Sequence, residues 1–587
     1  MMQLNIVLTQ YEDHVERVLG TIPFRPETFT ALPGFRIAME ATQLDVSSDA
    51  EAMDYRVAVE ALKPHSSINL GLRFSGTWSE APIHVMIPAA VYNGNRFEVL
   101  KMSYPPMFRP EEYGKDRPAA ITDVPHLTPT GGVLSLRAGD CAVPAVCLFD
   151  SEAKMGTILF YPSHGEDDVN METGCILREE KRDYTVTLEH PIVRSDGMYR
   201  FGDIRSDAPC EDPAADLLPG QTLSLTARVC TFPCEDISTL YRQYFRLSRK
   251  EGQIAGKTST PHQVPLSHAF SLIEAKYNRS NWLAPEEFYC VGENTGLYSC
   301  WQTGWVGGVN AAWPLYLSGS QETSERALST MDFLFRHMQA PTGFFYANYR
   351  DGKVFGDDFR NIEHKGFTLM RKNADALYFA SLMMVACKHQ NKPIDPLWEA
   401  GLIRSADAFC NLYETEGQLG QFVDIDTLKI LAGGTASSAM AVGGLVLSYR
   451  FGGDARYLET AKQIAAYYYN DYVTLGLANG GPGEILSAPD SESAYALLEG
   501  MTLLFEETGD RQYLTWAEDA AALYATWCMN YDYRFPANSQ FRIHDIRTTG
   551  AVWANIQNKH GAPGVCTHSG SALFRLYLHT GDEIYFN

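Results

Sequence analysis

The sequence predicts two architectures in one chain: an antiparallel β-sandwich over residues 1–234, then an (α/α)6 toroid over 266–587 whose last hairpin is only begun. Three observations predict it. Up to about residue 233, short apolar runs alternate at period two and are cut by Gly, Pro, Asn and Asp. From 235 the period becomes helical. A turn, Gly-Asp-x-x-Tyr-Leu, then recurs between helices, as Gly453-Asp454 with Tyr457-Leu458, Gly509-Asp510 with Tyr513-Leu514, and Gly581-Asp582 with Tyr585-Phe586.

The strands come first. Alternating runs at 55–62, 83–89, 132–136, 145–149, 157–161, 184–188 and 221–229 bury one face each and read as a large two-sheet sandwich with long loops. The longest loop, from Tyr92-Asn93-Gly94-Asn95 to about Thr122, is rich in Tyr, Pro and Arg, and a loop of that length is expected to carry function or an interface. Residues 235–265 form a linker. Ile237, Leu240, Tyr241, Tyr244 and Leu247 mark one face of a helix, and a Gly/Thr/Ser/Pro segment follows.

Helices are then expected at 266–280, 299–317, 322–339, 373–388, 396–414, 436–450, 454–472, 490–508, 511–529 and 566–580. Some, such as 437–449, are apolar or small all round, as an inner layer buried on both sides must be. Others, such as 454–472, set Tyr457, Leu458, Ala461, Ile464, Ala465 and Tyr468 against a polar face with Lys462 and Gln463, as outer helices do. At each recurring turn Gly suits the left-handed residue that ends the inner helix, and Asp caps the amides of the outer one. A six-hairpin ring needs twelve helices, ten are legible, and another starts at Asp582.

Composition narrows the function. The chain of 587 residues is 45% hydrophobic and 20% charged, enough for two large cores. Its net charge of −23 repels phosphate backbones and anionic membranes, so neither nucleic acid nor a membrane is an expected partner. No apolar run is long enough to span a bilayer, and residues 1–10 lack a signal-peptide pattern. A cytoplasmic protein is expected, or a periplasmic one if a leader was removed; a homo-oligomer is compatible with the sequence. Twelve scattered cysteines lack metal or redox spacing and read as free buried thiols. No metal and no cofactor is expected, since His544, Asp545, His560 and His568 show no ligand spacing. The 31 Tyr and 9 Trp exceed what a core needs and suit a cleft in which rings stack on sugar faces.

In a ring of hairpins, the loops entering the inner helices gather around one mouth, and here those loops are long while the opposite turns are short. They carry Glu293 with Trp301 and Trp305, then Asp357, Asp358, Arg360, His364, Lys365 and Arg371, then Asp424 and Asp426. A Gly-rich turn with Glu484, then Asp490 and Glu492, follows, and finally an insert with His544, Asp545, Arg547, Trp553, Asn555, His560 and His568. Glycosidic cleavage needs a protonated carboxyl for the leaving oxygen and a second group opposite to activate water or attack. Asp358 and Glu484 are the expected catalytic pair, with Glu293, Asp357 and Asp490 in reserve. Trp301, Trp305, Trp553 and His560 are expected to line the sugar, together with Asp490. Arg360, His364 and Arg371 form a cluster that suits a uronate carboxylate. Against these stand plainer readings: an N-cap for Asp490, core packing for the two tryptophans, and ion pairs between the basic cluster and its neighbouring acids.

The sandwich, linker helix, toroid and loop acids together resemble the (α/α)6-barrel glycoside hydrolases that carry an N-terminal β-sandwich. The motifs bearing this resemblance are Tyr92-Asn93-Gly94-Asn95, the run from Trp301-Gln302 through Trp305 to Gly308, and Asp375-Ala376-Leu377-Tyr378. The resemblance implies acid/base hydrolysis of an oligosaccharide or polysaccharide, often inverting, with a sandwich loop walling the site. Some members act on glucuronic-acid glycans, which would make the activity β-glucuronidase-like. Two other readings stay open. One is a polysaccharide lyase acting by β-elimination through Tyr298, Tyr495, His364, His544 or His560, and the other is a non-catalytic carbohydrate-binding protein. Phosphorolysis is open as well.

Overall fold

The structure, a computed structural model, describes every residue except 1–2, 13–14, 27, 48–49, 79, 99–113, 117–124, 166, 195–211, 251–264, 297, 359–360, 362, 559 and 587. Most of the 92–122 loop and the segment after the linker helix therefore lie outside the described residues. The chain forms two compact units. Unit 1 takes residues 1–97, 123–260 and 525–561, and unit 2 takes 98–122, 261–524 and 562–587.

Unit 1 is strand-rich, as expected. Its strands are β1 (Gln3–Glu12), β2 (Val15–Pro23), β3 (Thr28–Leu32), β4 (Phe35–Ser47), β5 (Ala50–Ala61), β6 (His65–Thr77), β7 (His84–Ile87), β8 (Val91–Tyr92), β9 (Gly131–Arg137), β10 (Ala145–Asp150), β11 (Met155–Phe160), β12 (Gly174–Glu180), β13 (Asp183–His190), β14 (Ala215–Leu217) and β15 (Thr222–Pro233). One sheet runs β2-β1-β6-β13-β12-β9 with β14 beside β6, and the other runs β3-β4-β5-β15-β11-β10-β7-β8; every pairing is antiparallel. Successive side chains on a strand point to opposite faces, so residues two apart share one. Ile6 and Leu8, Leu70 and Leu72, and Val186 and Leu188 from the first sheet share one buried core with Ile37 and Met39, Val57 and Val59, and Leu223 and Leu225 from the second.

Two elements join this unit that the sequence places elsewhere. The linker helix α1 (Ile237–Lys250) buries Leu240, Tyr241, Tyr244 and Leu247, and the Tyr241 ring meets His84 edge-on at 6.3 Å. Residues 525–561, expected to feed a toroid mouth, pack on the sandwich instead. Tyr531 donates its hydroxyl to the carbonyls of Ala138 and Cys141 at 3.0 and 3.2 Å, Trp527 stacks on Tyr92 at 4.8 Å, and Asn530 donates to the Ser248 carbonyl at 3.1 Å.

Unit 2 is helical. In chain order it contains α2 (Leu266–Lys276), the strand pair β16 (Trp282–Leu283) and β17 (Phe288–Tyr289), β18 (Trp301–Gln302), α3 (Val309–Ser318), α4 (Gln321–Phe333), β19 (Asn348–Arg350), β20 (Lys353–Phe355), β21 (Phe367–Leu369), α5 (Met370–His389) and α6 (Pro396–Glu416). Then come β22 (Phe422–Asp424), β23 (Lys429–Ala432), α7 (Met440–Gly452), α8 (Ala455–Asp471), α9 (Ser491–Thr508) and α10 (Arg511–Ala525). After α11 (Gln540–Ile543), which belongs to unit 1, the chain returns as α12 (Ser571–Thr580). The inner helices pack in sequence, α3 on α5, α5 on α7, α7 on α9 and α9 on α12. The outer helix α8 buries Tyr457, Ala461, Ile464, Ala465 and Tyr468, the stripe read from its sequence.

The recurring turns are built as expected. Gly453, Gly509 and Gly581 have φ of 80°, 69° and 69°, and Asp454, Asp510 and Asp582 each accept a hydrogen bond from the amide two residues on. The expected helix at 299–317 is corrected. It starts only at Val309, because Trp301-Gln302 pairs with β19 and the following residues Gly304, Trp305 and Gly308 hold φ of 63°, 56° and 58°, outside any right-handed helix. Likewise the expected helix from 566 starts at Ser571.

Candidate active site

The first residues of the inner helices of unit 2 come together through buried polar contacts. The Trp305 amide and Asn310 Nδ2, at the entry to α3, both donate to Asp375 Oδ2 on α5 at 2.9 and 3.3 Å. Gln421, ahead of α7, donates to the Gly480 and Leu486 carbonyls ahead of α9, at 3.1 and 2.7 Å. Arg371, in the first turn of α5, is ion-paired to Glu492 in the first turn of α9 and to Asp375 on its own helix at 3.3 Å. Cys566, before α12, points its sulfur at the Trp305 carbonyl at 3.9 Å. Four helix entries thus meet around Arg371.

Glu484 stands out in this cluster. It lies in the short 3-10 turn Gly483–Ile485 and keeps partial exposure while its neighbours Gly483 and Ile485 are buried. Desolvation pushes its carboxyl up to about 7; the Asp490 charge adds to this, while its own backbone amide and the charges of Arg371 and Lys372 oppose it. The residue is half-buried but its Oε2 is sealed from solvent, so the carboxyl is strongly desolvated. It is half protonated near neutrality, the state a general acid needs.

Several expected site residues have other duties. Asp490 has no exposure and is the N-cap of α9: its oxygens accept from the Ser493 amide at 2.6 Å, the Ser493 hydroxyl at 3.0 Å and the Gly481 amide at 3.0 Å. Burial lifts it to about 6 despite these bonds, and the expected sugar contact gives way to the cap. Trp301 is fully buried, donates Nε1 to Thr303 Oγ1 at 2.8 Å and packs against Phe288 and Phe333, so it is core rather than a sugar platform. Trp305 is half-buried, and its indole N–H is sealed without a partner among the described residues.

The basic cluster is largely neutralised. Arg371 is 5% exposed and held by Glu492 and Asp375, which corrects its expected role as a uronate clamp. Lys372, also buried, binds Asp357 at 2.6 Å. His364 pairs with Asp424 at 2.8 Å. Burial raises the Asp424 carboxyl, but the His364 bond and the Thr427 and Asp426 amides outweigh it and leave the group below its ordinary value. Arg360 lies outside the described residues.

The remaining expectations separate. Asp358 is half-buried on the loop before β21, where its carbonyl accepts from the Asn361 amide at 3.1 Å. Glu293 stands exposed before β18, and among the described residues no hydrogen bond or ion pair reaches its carboxylate. Trp553 and His560 belong to unit 1, with the Trp553 amide on the Trp527 carbonyl at 3.0 Å and His560 exposed, which corrects their placement on a toroid mouth loop.

A second group joins His568 of the expected mouth insert and Tyr495 to Glu499, a residue the sequence reading does not single out. His568, half-buried before α12, lies between the rings of Tyr378, Phe379 and Tyr495 at centroid distances of 5.3, 5.0 and 4.9 Å. Beside it Glu499 accepts from the Tyr378 hydroxyl at 2.8 Å and the Tyr495 hydroxyl at 3.0 Å, and pairs with Arg575 at 2.7 Å. Burial opposes its charge, but Arg575, His568 and the two hydroxyls outweigh that and hold Glu499 ionised. His568, Ser569 and Gly570 carry φ of 42°, 50° and 74°, a left-handed run that costs roughly 1–3 kcal/mol for each of the two non-glycine residues. One sequence signal marks the group. Glu499, four residues from Tyr495, sits in the middle of α9 among Leu497, Leu498, Met501, Leu503 and Leu504, where a carboxylate needs a reason.

No family model matches the chain, and no curated protein matches it either. Among solved structures it is similar to a polysaccharide lyase, at 10% identity and a TM-score of 0.40 over 100% of this chain and 84% of that one. It is also similar to a GH76 α-mannanase of Bacteroides thetaiotaomicron, at 10% identity and a TM-score of 0.38 over 58% and 85% of the two chains. An unsaturated glucuronyl hydrolase from Streptococcus agalactiae aligns at 13% identity with a TM-score of 0.34 over 59% and 81%. At these TM-scores the likeness carries no residue role over to this chain.

Proposed function

We propose that unit 2 is an (α/α)6-type glycoside hydrolase domain and that Glu484 is its general acid. The observation that carries the proposal is the desolvated Glu484 carboxyl, pushed up to about 7 beside the meeting point of four helix entries. Cleaving a glycosidic bond requires a proton on the leaving oxygen, and a carboxyl that holds its proton near neutrality supplies it. Asp358 and Glu293 are the carboxylates the sequence offers for the opposite role. Elimination on a uronate is the weaker reading, because two of the cations of the basic cluster, Arg371 and Lys372, are committed to buried acids.

The test is a panel of aryl glycosides and natural oligosaccharides, glucuronides included, with products read by mass. Hydrolysis adds one water; elimination adds none. In Glu484→Gln, turnover of substrates with poor leaving groups should fall about 10²- to 10⁴-fold, while dinitrophenyl glycosides, whose leaving group needs no proton, keep most of theirs. Equal loss on both kinds of substrate would remove Glu484 from the acid role.

A further inference from the structure

We infer that His568 is the proton acceptor of this site, taking a proton from the attacking water while Glu484 gives one to the leaving oxygen. The inference rests on the hydrolytic reading above and replaces a second carboxylate with an imidazole. Its first support is what holds the ring. Tyr378, Phe379 and Tyr495 fix it by packing, and no hydrogen bond from a described residue occupies either ring nitrogen. The residue itself keeps partial exposure. A half-buried histidine usually satisfies at least one nitrogen within the protein, so a ring packed among three aromatic rings with no such bond from the described residues is available to an external partner.

The second support is the left-handed run over His568, Ser569 and Gly570, a backbone cost carried at the histidine itself. The third is Glu499, pinned by two tyrosine hydroxyls and Arg575, whose negative charge favours the imidazolium that forms when the ring accepts a proton.

The two groups share one neighbourhood. The Arg371 charge acts on both Glu484 and His568, and the Glu484 charge acts on Cys566, two residues before His568. The charged and titratable groups facing His568 are Arg371, Asp375 and Tyr378 from α5, Tyr495 and Glu499 from α9, and Arg575 from α12. Burial lowers the imidazole, with Arg371 and Arg575 in the same direction, and this outweighs Glu499 and Asp375, so the ring is unprotonated at neutral pH and can accept a proton.

The step balances without any co-reactant. An O–H bond of water breaks and an N–H bond forms on His568, as the water oxygen bonds to the anomeric carbon. The glycosidic C–O bond breaks with its electron pair going to the leaving oxygen, which takes the Glu484 proton. The imidazolium then releases its proton to solvent and Glu484 regains one.

The test is His568→Gly in the full chain, assayed with the aryl glycoside the wild type turns over best. Glycine suits the left-handed backbone, so the fold, followed by circular dichroism, is kept, and the lost ring leaves a slot between three aromatic rings. Turnover should fall about 100-fold or more, the acidic limb of the kcat/KM profile should vanish, and added imidazole should restore activity with the pH dependence of free imidazole. Retained activity in His568→Gly, or loss that imidazole does not repair in a folded variant, overturns the inference. If Glu484→Gln is impaired on poor leaving groups while His568→Gly is not, the hydrolase reading stands and only the inference falls. A wild type that cleaves no glycoside sinks the reading and the inference together.

Discussion

At the scale of single residues, the site is a balance between desolvation and neighbouring charge. Glu484 lies on the side where desolvation wins, so its titration is visible in activity. An acid that must be protonated loses function as pH rises through its pKa, and the wild-type profile should fall above about 7, with that limb absent in Glu484→Gln. Arg371 lies on the other side. It is enclosed and holds the buried carboxylates Glu492 and Asp375, so Arg371→Met should cost about 3–5 kcal/mol of stability in denaturant titrations by leaving two acids without their cation. A clamp for a sugar carboxylate would behave differently, raising KM with little change in the denaturation midpoint. The sequence displays Arg371 as a member of a basic cluster; it does not display burial, and burial turns a ligand-binding residue type into a structural one.

At the scale of elements, the most legible feature is the hairpin turn, because its chemistry is local. Gly509 at φ 69° and Asp510 over the Gln512 amide are dictated by backbone geometry and need no tertiary context. Gly509→Ala and Asp510→Ala should each lower stability by about 1 kcal/mol and leave turnover unchanged, measured by urea midpoints and initial rates. The entry to α3 was illegible for the converse reason. Trp301 and Trp305 have helical spacing, but pairing of β18 with β19 and three left-handed residues override it, and neither partner strand is visible from the local sequence.

Strand β13 supplies an element-scale test of burial. Glu189 on this strand is buried, and desolvation lifts its carboxyl to about 7 although Asn69 donates to it at 2.9 Å. Because the folded value lies above the unfolded one, the wild type is favoured at acid pH and loses that advantage as pH rises from about 4.5 through about 7. The stability of Glu189→Gln relative to wild type should therefore increase across that window, by on the order of 3 kcal/mol, and level off above it. A gap independent of pH in paired denaturation series would mean that the carboxyl is solvated.

At the scale of the whole chain, the two units are not consecutive segments. Reading the chain as sandwich, linker and toroid places 525–561 with the helices, since it follows α10 and precedes α12; the contacts give it to unit 1. A segment's sequence neighbours do not fix its packing partners, and this one is recognised only by what it covers. Tyr531 satisfies the Ala138 and Cys141 carbonyls, Trp527 lies on the Tyr92 ring, and Thr526 shares a hydrogen bond with the Tyr92 hydroxyl at 2.7 Å. A fragment ending at residue 260 would expose the faces of Tyr92 and the 138–141 turn and leave their polar atoms to water. It should be digested faster by a non-specific protease than the same fragment carrying residues 525–561 through a flexible linker, and the fused segment should also raise its denaturation midpoint. Equal protease resistance of the two fragments would show that the sandwich core is sufficient and that the returning segment only rests on its surface.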